Sequence, residues 1–434
     1  MKPSAGNTAT TIKTLHITNF YHPTSGGVRT FYRALLEAAD RHEREVRLVV
    51  PGPHDSMERI GEFGRIYTIG APRSPFFSSS YRLLLPHLYA LPYRSRLRQI
   101  LRDEQPDLIE VCDKYTLCFL PTVLRRGWIS GVQPPVVVGL SCERMDDNVA
   151  AYISSGRLGH RWSNWYMRRI YARRFDGHIS NSEYTAEELW NALGSSPDIP
   201  IRVGPMGVET KALGPERRTQ AARRALLSLL DAAKHVTEST RLLLYVGRIS
   251  PEKNTELLLE MMEQLTADSG LDYRLLVAGS GPRMEWFTES AETRVPGRVH
   301  MLGQISNRER LAEIYANCDA LIHPNPREPF GIAPLEAMAS GLPVVAPRLG
   351  GVLTYANESN SWLADPTGES FADGVRQVFA DEPARWAKVE SAIQTAQDYS
   401  WAHATTRYFQ LYDDLHASLG GRFNPDFCRA SIQA

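Results

Sequence analysis

Short, continuous apolar runs alternate along the chain with segments whose apolar residues recur at helical spacing. In the first half, the runs that predict strands are TLHITNF, VRLVVPG, RIYTIG, DLIEVCD, PVVVGLS and GHISNS. A second series follows, with RLLLYVGRI, YRLLVAGSG, VHMLGQI, DALIHP and PVVAPRLG. Because these runs are continuous, each strand is expected to be covered on both faces, as in parallel sheets. The pattern predicts an α/β protein of two doubly wound, Rossmann-like domains that face each other across a cleft.

Glycine and proline separate the two series, in the segment VGPMGVETKALGPERR. These residues interrupt regular structure, so we predict a first domain over 1–209 and a second over 210–401. A charged helix near 216–236 is expected to precede the second series of strands. The end of the chain, from about 402 to 434, is expected to hold an amphipathic helix with aromatic residues on one face.

Composition indicates a globular protein without a general preference for anionic partners. Of the 434 residues, 43% are apolar and 23% charged, and Lys+Arg equals Asp+Glu at 49 each, so nucleic acid is not an expected partner. Five cysteines without a C-x-x-C pair argue against a disulfide framework and favour a reducing compartment. We find neither a signal peptide nor a run of about 20 apolar residues, and we expect a cytoplasmic protein.

Two cations follow the first strand of the second series, in YVGRISPEKN. The strand ends at Gly247, Arg248 and Lys253 follow it, and a helix is expected to begin near Thr255. Cations beside a helix N-terminus form an anion site, and a diphosphate suits both the fork of arginine and the point charge of lysine. The alternative is a surface loop with two solvated cations.

A glycine pair, Gly26 and Gly27, follows the first strand of the chain in FYHPTSGGVRTF and precedes a helix. Glycines let backbone amides approach a ligand closely. The segment matches neither the P-loop pattern nor the dinucleotide-binding fingerprint, and a simple tight turn is an equally good interpretation.

Two carboxylates bracket a predicted helix start in EPFGIAPLEAMASGLPVVA. Glu328 lies in the loop after the strand DALIHP, and Glu336 lies about one turn into the helix. Free amides at the helix start, over 330–333, can donate to a sugar hydroxyl or a phosphate, and both carboxylates can accept from vicinal hydroxyls. A charge that simply suits the helix dipole is the alternative interpretation of Glu336.

Six elements, which occur along the chain in the family's order, resemble those of the retaining glycosyltransferases of family 4, which have the GT-B fold. EPFGIAPLEAMASGLPVVA is similar to the E-x7-E segment followed by A-x-G-x-P-V-V-A, and VGRISPEKN is similar to the loop G-R-x-x-x-x-K-[GN]. The other elements are VAGSGP, DALIHP, SGGV and the late SW. The resemblance covers most of the chain and is strongest over 242–346.

This resemblance implies a role for each donor-side residue. Arg248 and Lys253 are expected to hold the diphosphate of a nucleotide sugar, and both are expected to be catalytic together with Glu328. Glu328 is expected to contact hydroxyls of the transferred sugar, and Glu336 to accept from the ribose hydroxyls. The residues whose backbones are expected to hold the sugar and phosphate, or to cover the diphosphate from the first domain, are Phe330, Gly331, Ile332, Gly26 and Gly27.

The resemblance also implies a last helix that crosses back to the first domain, no metal ion, and no cofactor besides the nucleotide-sugar donor. Positive charge and a helix dipole take the place of the metal. The acceptor hydroxyl is expected to attack from the face that the diphosphate leaves, so neither glutamate need be a covalent nucleophile.

The stretch LSCERMDDN is similar to an SHERLD-like motif of mannosyltransferases that act on glycolipids. Glu143, Arg144 and Asp146 match this motif, but Cys142 replaces the expected histidine. The resemblance places these residues on the acceptor and sugar side, with His22 as a replacement for the missing imidazole. A buried, small apolar residue is the alternative interpretation of Cys142.

Two basic and aromatic segments of the first domain, 156–175 and 74–101, suit the surface of an anionic membrane. They equally suit helices that pack by their aromatic faces and leave their arginines solvated. A peripheral contact with the inner face of an anionic membrane is therefore an expectation, as is a glycolipid or other glycan acceptor.

The resulting prediction is a retaining hexosyltransferase that moves mannose or glucose from a GDP- or UDP-sugar to a hydroxyl of a glycolipid or polysaccharide precursor. Similarity to mannosyltransferases favours GDP-mannose. A sugar-nucleotide epimerase shares the two-domain plan and is one alternative. A nucleotide-sugar-binding protein with weakened catalysis is the other, and Cys142 alone supports it.

Overall fold

Two sheets, each covered by helices, follow one another along the chain. The predicted α/β fold of two doubly wound units is therefore confirmed. The computed structural model describes residues 11–22, 26–74, 81–90, 95–152, 156–194, 198–230, 236–267 and 270–420.

The first sheet has eight strands in the order β3-β4-β2-β1-β5-β6-β7-β8, and only β3 pairs in an antiparallel sense. The strands are β1 (Thr14–Thr18), β2 (Val46–Gly52), β3 (Ser56–Ile60), β4 (Gly64–Gly70), β5 (Leu108–Cys112), β6 (Val136–Ser141), β7 (Gly177–Ser180) and β8 (Ile201–Val203). The apolar runs predicted six of them. They missed β3, an exposed edge strand, and β8, which has only three residues.

Helices cover both faces of this first sheet. They are α1 (Gly27–Ala38), α2 (Pro86–Ala90), α3 (Arg96–Glu104), α4 (Leu120–Arg125), α5 (Met145–Tyr152), α6 (Arg157–Tyr166) and α7 (Glu183–Leu193). α1 buries Phe31, Tyr32, Leu35 and Leu36, whose helical spacing places them on one face. α7 begins at a capping box in which Ser182 accepts from the amide of the third helical residue.

The basic segment 156–175 packs by only part of its aromatic face: Tyr171 and Phe175 are buried, as one interpretation of the sequence required, but its two tryptophans are not. In α6 the side chains of Trp162 and Trp165 point outward with the arginines, while Ser163 and the following Met167 are buried. That interpretation is wrong for α6, because small residues rather than the tryptophans fill the contact with the domain. Parts of the other basic segment, residues 75–80 and 91–94, lie outside the described residues.

The second sheet has six parallel strands in the order β11-β10-β9-β12-β13-β14. They are β9 (Arg241–Val246), β10 (Tyr273–Ala278), β11 (Val299–Gly303), β12 (Ala320–Ile322), β13 (Val344–Pro347) and β14 (Trp362–Ala364). The accompanying helices are α8 (Gln220–Ser228), α9 (Glu256–Ala267), α10 (Met284–Arg294), α11 (Arg308–Asn317), α12 (Ile332–Ala339), α13 (Gly368–Ala380), α14 (Glu382–Asp398) and α15 (Trp401–Leu419). Only β14, three residues long, was missed.

The prediction of one charged helix near 216–236 is wrong in its extent. Pro215–Arg217 form a single 3-10 turn, and α8 starts only after Thr219, whose hydroxyl accepts from the amide of Ala222 at 3.1 Å. Proline at the start of the turn and threonine as an N-cap divide the segment into two pieces. Residues 231–235 lie outside the described residues.

The last described helix, α15, packs against the first sheet although it follows the second one in sequence. The chain crosses over at Val208, whose amide donates to Tyr399 O at 2.9 Å and whose carbonyl accepts from the amide of Trp401 at 3.1 Å. Tyr412 then donates to the buried Glu110 Oε2 at 2.6 Å. Of the predicted helix over about 402–434, residues 421–434 lie outside the described part.

The carboxyl ends of both sheets meet at one cleft of about 1580 Å³. The segments that follow β1, β5 and β6 line it from the first domain, and those that follow β9 and β10 line it from the second. No helix within the described ranges is long and apolar enough to cross a membrane.

Candidate active site

Lys253 and Glu328 form an ion pair at the edge of the cleft, which Lys253 lines. Lys253 Nζ donates to Glu328 Oε1 at 3.0 Å and to Oε2 at 2.8 Å. Asn325 Nδ2 donates to the same Oε2 at 3.1 Å. Burial alone raises the pKa of Glu328, but Lys253, His323 and Asn325 outweigh it and lower this pKa to about 2. Glu328 is therefore an anion at any physiological pH.

The loop before Glu328 supplies two partners that the sequence did not predict. Besides Asn325, His323 lies with Nε2 3.8 Å from Glu328 Oε2. Burial lowers the pKa of His323 to about 4, so the imidazole is neutral. Both residues belong to the segment DALIHPNPRE, and their position after β12 was the only signal that could have identified them.

The Lys253 loop is held at the edge of the second sheet by a tight backbone. Pro251–Lys253 form a 3-10 turn, Asn254 follows with φ 51°, and its Nδ2 donates to Pro324 O at 3.1 Å. α9 begins at Glu256, one residue later than predicted. Arg248 lines the cleft just after β9, where its carbonyl accepts from Tyr245 at 2.8 Å. Two cations thus reach the cleft from one strand end.

Glycines let two strand-end loops of the second sheet pack closely. A Cβ on Gly279 would lie 1.8 Å from Gly247 O, and one on Gly281 would lie 2.2 Å from Ile249 O. No side chain fits either position, so the backbone after β10 lies directly against the backbone after β9. This close backbone contact is the physical reason for the two glycines in VAGSGP.

Glu336 faces the cleft from the fifth position of α12. Tyr315 donates to its Oε2 at 2.9 Å. Burial raises the pKa of this carboxyl, and Tyr315 and Arg308 offset the rise only in part. The sequence did not single out Tyr315 or Arg308, which also line the cleft, because both come from α11, a separate helix.

The start of α12 is left open toward the cleft. Gly331 precedes the helix with φ +83°, and no side chain of the described residues caps the first turn. Tyr355 donates to Gly331 O and fixes this turn from behind. In the first domain, a Cβ on Gly27 would lie 3.1 Å from Ile332 Cδ1, so this glycine of the predicted pair lies against the start of α12. Phe330 itself is buried.

A second cavity of about 350 Å³ adjoins the first on the side of α5. Glu143 lines both cavities, and its Oε1 is shielded from solvent without a hydrogen-bond partner among the described residues. Burial raises the pKa of this carboxyl. The other polar residues of the small cavity include Asp147, Asn148, Asn181, Asn325 and Arg327.

A buried ion pair fixes the backbone of Glu143. Lys114 Nζ donates to Glu143 O at 2.5 Å and to Glu188 Oε2 at 2.6 Å. Glu188 Oε1 in turn accepts from the amides of Met145 and Asp146 at 2.7 and 3.0 Å. The sequence did not single out Lys114 or Glu188, because they lie far apart in the chain and carry no motif.

The other predicted acceptor-side residues differ in their positions. Arg144 donates to both oxygens of Asp146, at 2.9 and 2.7 Å, and to Glu187 at 2.8 Å. Asp146 lines neither cavity, since it is turned toward this arginine. Cys142 lines both cavities, and Cys112 together with burial raises its pKa, so its thiol is neutral. His22 does not line either one.

His22 packs edge-on against Tyr81, with ring centroids 3.9 Å apart. Burial, Arg29 and Arg248 lower the pKa of this histidine. The imidazole therefore stays neutral close to Arg248. That His22 replaces the histidine expected at position 142 stays a prediction.

Comparison with known proteins identifies relatives of this chain. The profile described as Glycosyl transferases group 1 matches residues 230–397, and the profile described as Glycosyltransferase Family 4 matches 25–212. A GDP-mannose-dependent alpha-(1-6)-phosphatidylinositol dimannoside mannosyltransferase of Mycobacterium tuberculosis is 28% identical, over 91% of this chain and 94% of its own. A D-inositol 3-phosphate glycosyltransferase of Corynebacterium diphtheriae is 28% identical over 54% of this chain and 55% of its own.

Solved structures agree on the fold. Sucrose-phosphate synthase of Thermosynechococcus elongatus has a TM-score of 0.70 at 21% identity and covers 94% of this chain and 100% of its own. Anabaena HepE, in complex with UDP and glucose, has a TM-score of 0.66 at 17% identity and covers 93% of this chain and 100% of its own. The two family profiles together span most of the chain, so this protein belongs to the glycosyl transferases group 1 and is a glycosyltransferase with the GT-B fold.

Proposed function

We propose that this protein transfers a mannosyl group from GDP-mannose to a hydroxyl of a glycolipid with an inositol-containing head, retaining the anomeric configuration. The observation that carries the proposal is the Lys253–Glu328 pair, in which Lys253 lines the cleft together with Arg248 while Glu328 lines the small cavity beside the start of α12. The Mycobacterium tuberculosis relative, named for GDP-mannose and a phosphatidylinositol dimannoside, supports this choice of donor and acceptor.

Positive charge in the cleft suits a departing diphosphate. Arg248 can pair with one phosphate through its planar fork, and Lys253 can approach the other as a point charge. The uncapped start of α12 lines the adjoining small cavity, which Lys253 also lines, and adds the positive end of the helix dipole. Fixed positive groups stabilise the charge that develops as the sugar leaves, so we propose that no metal ion or other cofactor takes part.

Donor binding changes the partners of Lys253. In this structure, its ammonium group is held by both oxygens of Glu328. A bound diphosphate attracts the ammonium, and this frees lone pairs on Glu328 for hydroxyls of the sugar. Glu336, with Tyr315 on one oxygen, has lone pairs left for the ribose hydroxyls.

Retention follows from attack on the face that the diphosphate leaves. The bond between the anomeric carbon and the phosphate oxygen breaks, the acceptor oxygen bonds to that carbon, and its proton passes to the departing phosphate. In this step Glu328 serves as a hydroxyl acceptor and forms no bond to the anomeric carbon. This differs from the paired carboxylates of retaining glycosidases.

The small cavity is the proposed position of the acceptor hydroxyls. It adjoins Glu328 and is lined by carboxylates and amides that bind polyols, with Glu143 at the junction of the two cavities. Since the proposed acceptor is a lipid, we propose that the protein works in peripheral contact with the inner face of a membrane.

The test is transfer by the purified full chain. GDP-mannose and phosphatidylinositol mannosides in detergent are expected to give a product heavier by one hexose, with an α-linkage by NMR and an unchanged rate in EDTA. Glu328→Gln is expected to lower kcat by about 100-fold to 1000-fold. Glu358→Gln is the matched control, because Glu358 is an exposed carboxylate whose partner is Arg348.

Several results would contradict the proposal. Wild-type turnover by Glu328→Gln would remove Glu328 from the sugar site. Isomerisation of the donor sugar without an acceptor would indicate an epimerase. Thermal stabilisation by UDP but not by GDP would exclude GDP-mannose as the donor.

A further inference from the structure

A stripe of large apolar side chains lies exposed on α6. Leu158 is 80% exposed, Trp162 48% and Trp165 53%. Their spacing of four and three residues places them on one face of the helix. Single exposed apolar residues are ordinary, but three neighbours on one helix face form a contiguous patch, which is typical of an interaction site.

Arginines surround this stripe. Five of them are exposed on α6 and the turn that follows it: Arg157, Arg161, Arg168, Arg169 and Arg173. None of the five forms a salt bridge with any residue that the structure describes, and the segment 156–175 contains no acidic residue. We call these eight side chains the α6 face. It combines unpaired positive charge with apolar surface.

The α6 face is held firmly by the domain beneath it. Gly159, Ser163 and Met167 are buried on the opposite side. Tyr166 donates to Lys114 O at 2.7 Å, and its ring stacks on Trp162 with centroids 5.6 Å apart. A hydrogen bond and ring stacking orient the stripe, so its exposure does not come from a loosely packed helix.

We propose that the α6 face docks on an anionic lipid bilayer, with the tryptophans and Leu158 in the interface and the arginines on lipid headgroups. An amphipathic helix of this composition has the charge and the apolar surface that such a surface binds. This inference rests on the proposed function, because docking at the α6 face brings the enzyme to a lipid acceptor.

The position of α6 relative to the small cavity supports this orientation. α5 packs against α6, and Asp147, Asn148 and Ala151 of α5 line that cavity. A membrane in contact with the α6 face therefore lies beside the wall of the proposed acceptor site. A glycolipid head could reach Glu143 without the lipid leaving the bilayer.

The test is co-sedimentation of the full chain with phosphatidylcholine vesicles, with and without phosphatidylglycerol. We expect binding only with the anionic lipid, and weaker binding at high salt. Arg161→Gln and Arg168→Gln are each expected to weaken vesicle binding about fivefold. Trp162→Ser and Trp165→Ser are each expected to weaken vesicle binding about tenfold.

Trp386→Ser is the matched control, because Trp386 is 54% exposed on α14 of the second domain. Equal losses from Trp386→Ser and Trp165→Ser would overturn the proposal. So would unchanged binding in the α6 variants, or a concentration-dependent dimer in ultracentrifugation that these variants abolish, since the face would then bind a second copy. Stabilisation by GDP, measured on each variant, separates these results from a failure of the proposed function.

Discussion

At the scale of single residues, two carboxylates in the small cavity have different pKa values because their neighbours differ. Lys253 and Asn325 hold Glu328 as an anion with a pKa of about 2. Glu143 has one oxygen without a partner among the described residues, and burial raises its pKa. Glu328 is therefore suited to permanent hydroxyl binding, whereas the protonation of Glu143 changes at a pH closer to neutral.

The lowered pKa of Glu328 predicts how stability depends on pH. The folded pKa lies below the ordinary value, so the pair stabilises the protein above that ordinary value and the gain is lost as pH falls through the folded pKa. We expect Glu328→Gln to lower the free energy of unfolding by about 3 kcal/mol at neutral pH. The difference from wild type, measured by urea unfolding, is expected to vanish between about pH 5 and pH 2. A difference that stays constant with pH would contradict this.

The raised pKa of Glu143 predicts the opposite sign. Ionisation is disfavoured in the folded state, so wild-type stability rises as pH falls through the folded pKa. Glu143→Gln is expected to stabilise the protein by about 1 kcal/mol at neutral pH and to raise the KM for the acceptor about tenfold. Donor affinity is expected to stay the same.

Glu188→Gln serves as the contrasting variant. It leaves the buried Lys114 without its carboxylate, and we expect it to destabilise the protein by about 3–5 kcal/mol. If Glu143→Gln also destabilised the protein and left acceptor kinetics unchanged, the Glu143 carboxyl would have a structural role only.

At the scale of elements, the start of α12 depends on one glycine. Gly331 has φ +83°, and a Cβ there would lie 3.1 Å from Tyr355 Oη and 3.2 Å from Glu328 Cγ. Substitution therefore strains the backbone and also displaces Glu328. Sequence patterns predicted this helix and its glycine, but not the tyrosine behind them, because Tyr355 follows 24 residues later.

Gly331→Ala is expected to cost about 1–2 kcal/mol of stability and more than tenfold in kcat. Gly127→Ala is the control, since Gly127 has φ +64° with nothing within 4 Å of its added Cβ. It is expected to lose a similar amount of stability and no activity. Thermal melting and initial rates measure both effects. Equal activities of the two variants would show that the start of α12 does not position the donor.

At the scale of the whole molecule, the two domains touch across the cleft. Ser182 at the start of α7 donates to Pro329 O at 2.5 Å. α5 also contacts the 3-10 turn Pro251–Lys253 of the second domain. These contacts join the first domain to the loop that carries Glu328, and they favour the closed arrangement in which both sides can meet a donor.

Ser182→Ala tests this contact. The serine also caps α7, so the variant is expected to lose about 1 kcal/mol of stability. Loss of the contact to Pro329 is expected to raise the KM for the donor severalfold as well. Thr219→Ala removes an ordinary N-cap at α8 and is expected to show only the loss of stability. Identical donor KM values for the two variants would exclude a role of Ser182 in closure.

The sequence by itself determined the fold class and the loops that carry the candidate site. Continuous apolar runs identify strands covered on both faces, and the glutamates and cations of the site lie in short segments directly after those strands. Local spacing was enough, because each segment forms one strand end or one helix start. Strands β3 and β8 were missed because polar residues interrupt their apolar runs, and β14 was missed as well.

Only the tertiary structure decided which groups meet. The pairing of Lys253 with Glu328 and the contact of Tyr315 with Glu336 each join segments distant in sequence. Burial by the surrounding structure also leaves one oxygen of Glu143 without a partner among the described residues. The outward direction of Trp162 and Trp165 was equally undecided, because an amphipathic pattern does not say which face meets the protein. Packing against the rest of the domain fixed that direction and, with it, the surface offered to a partner.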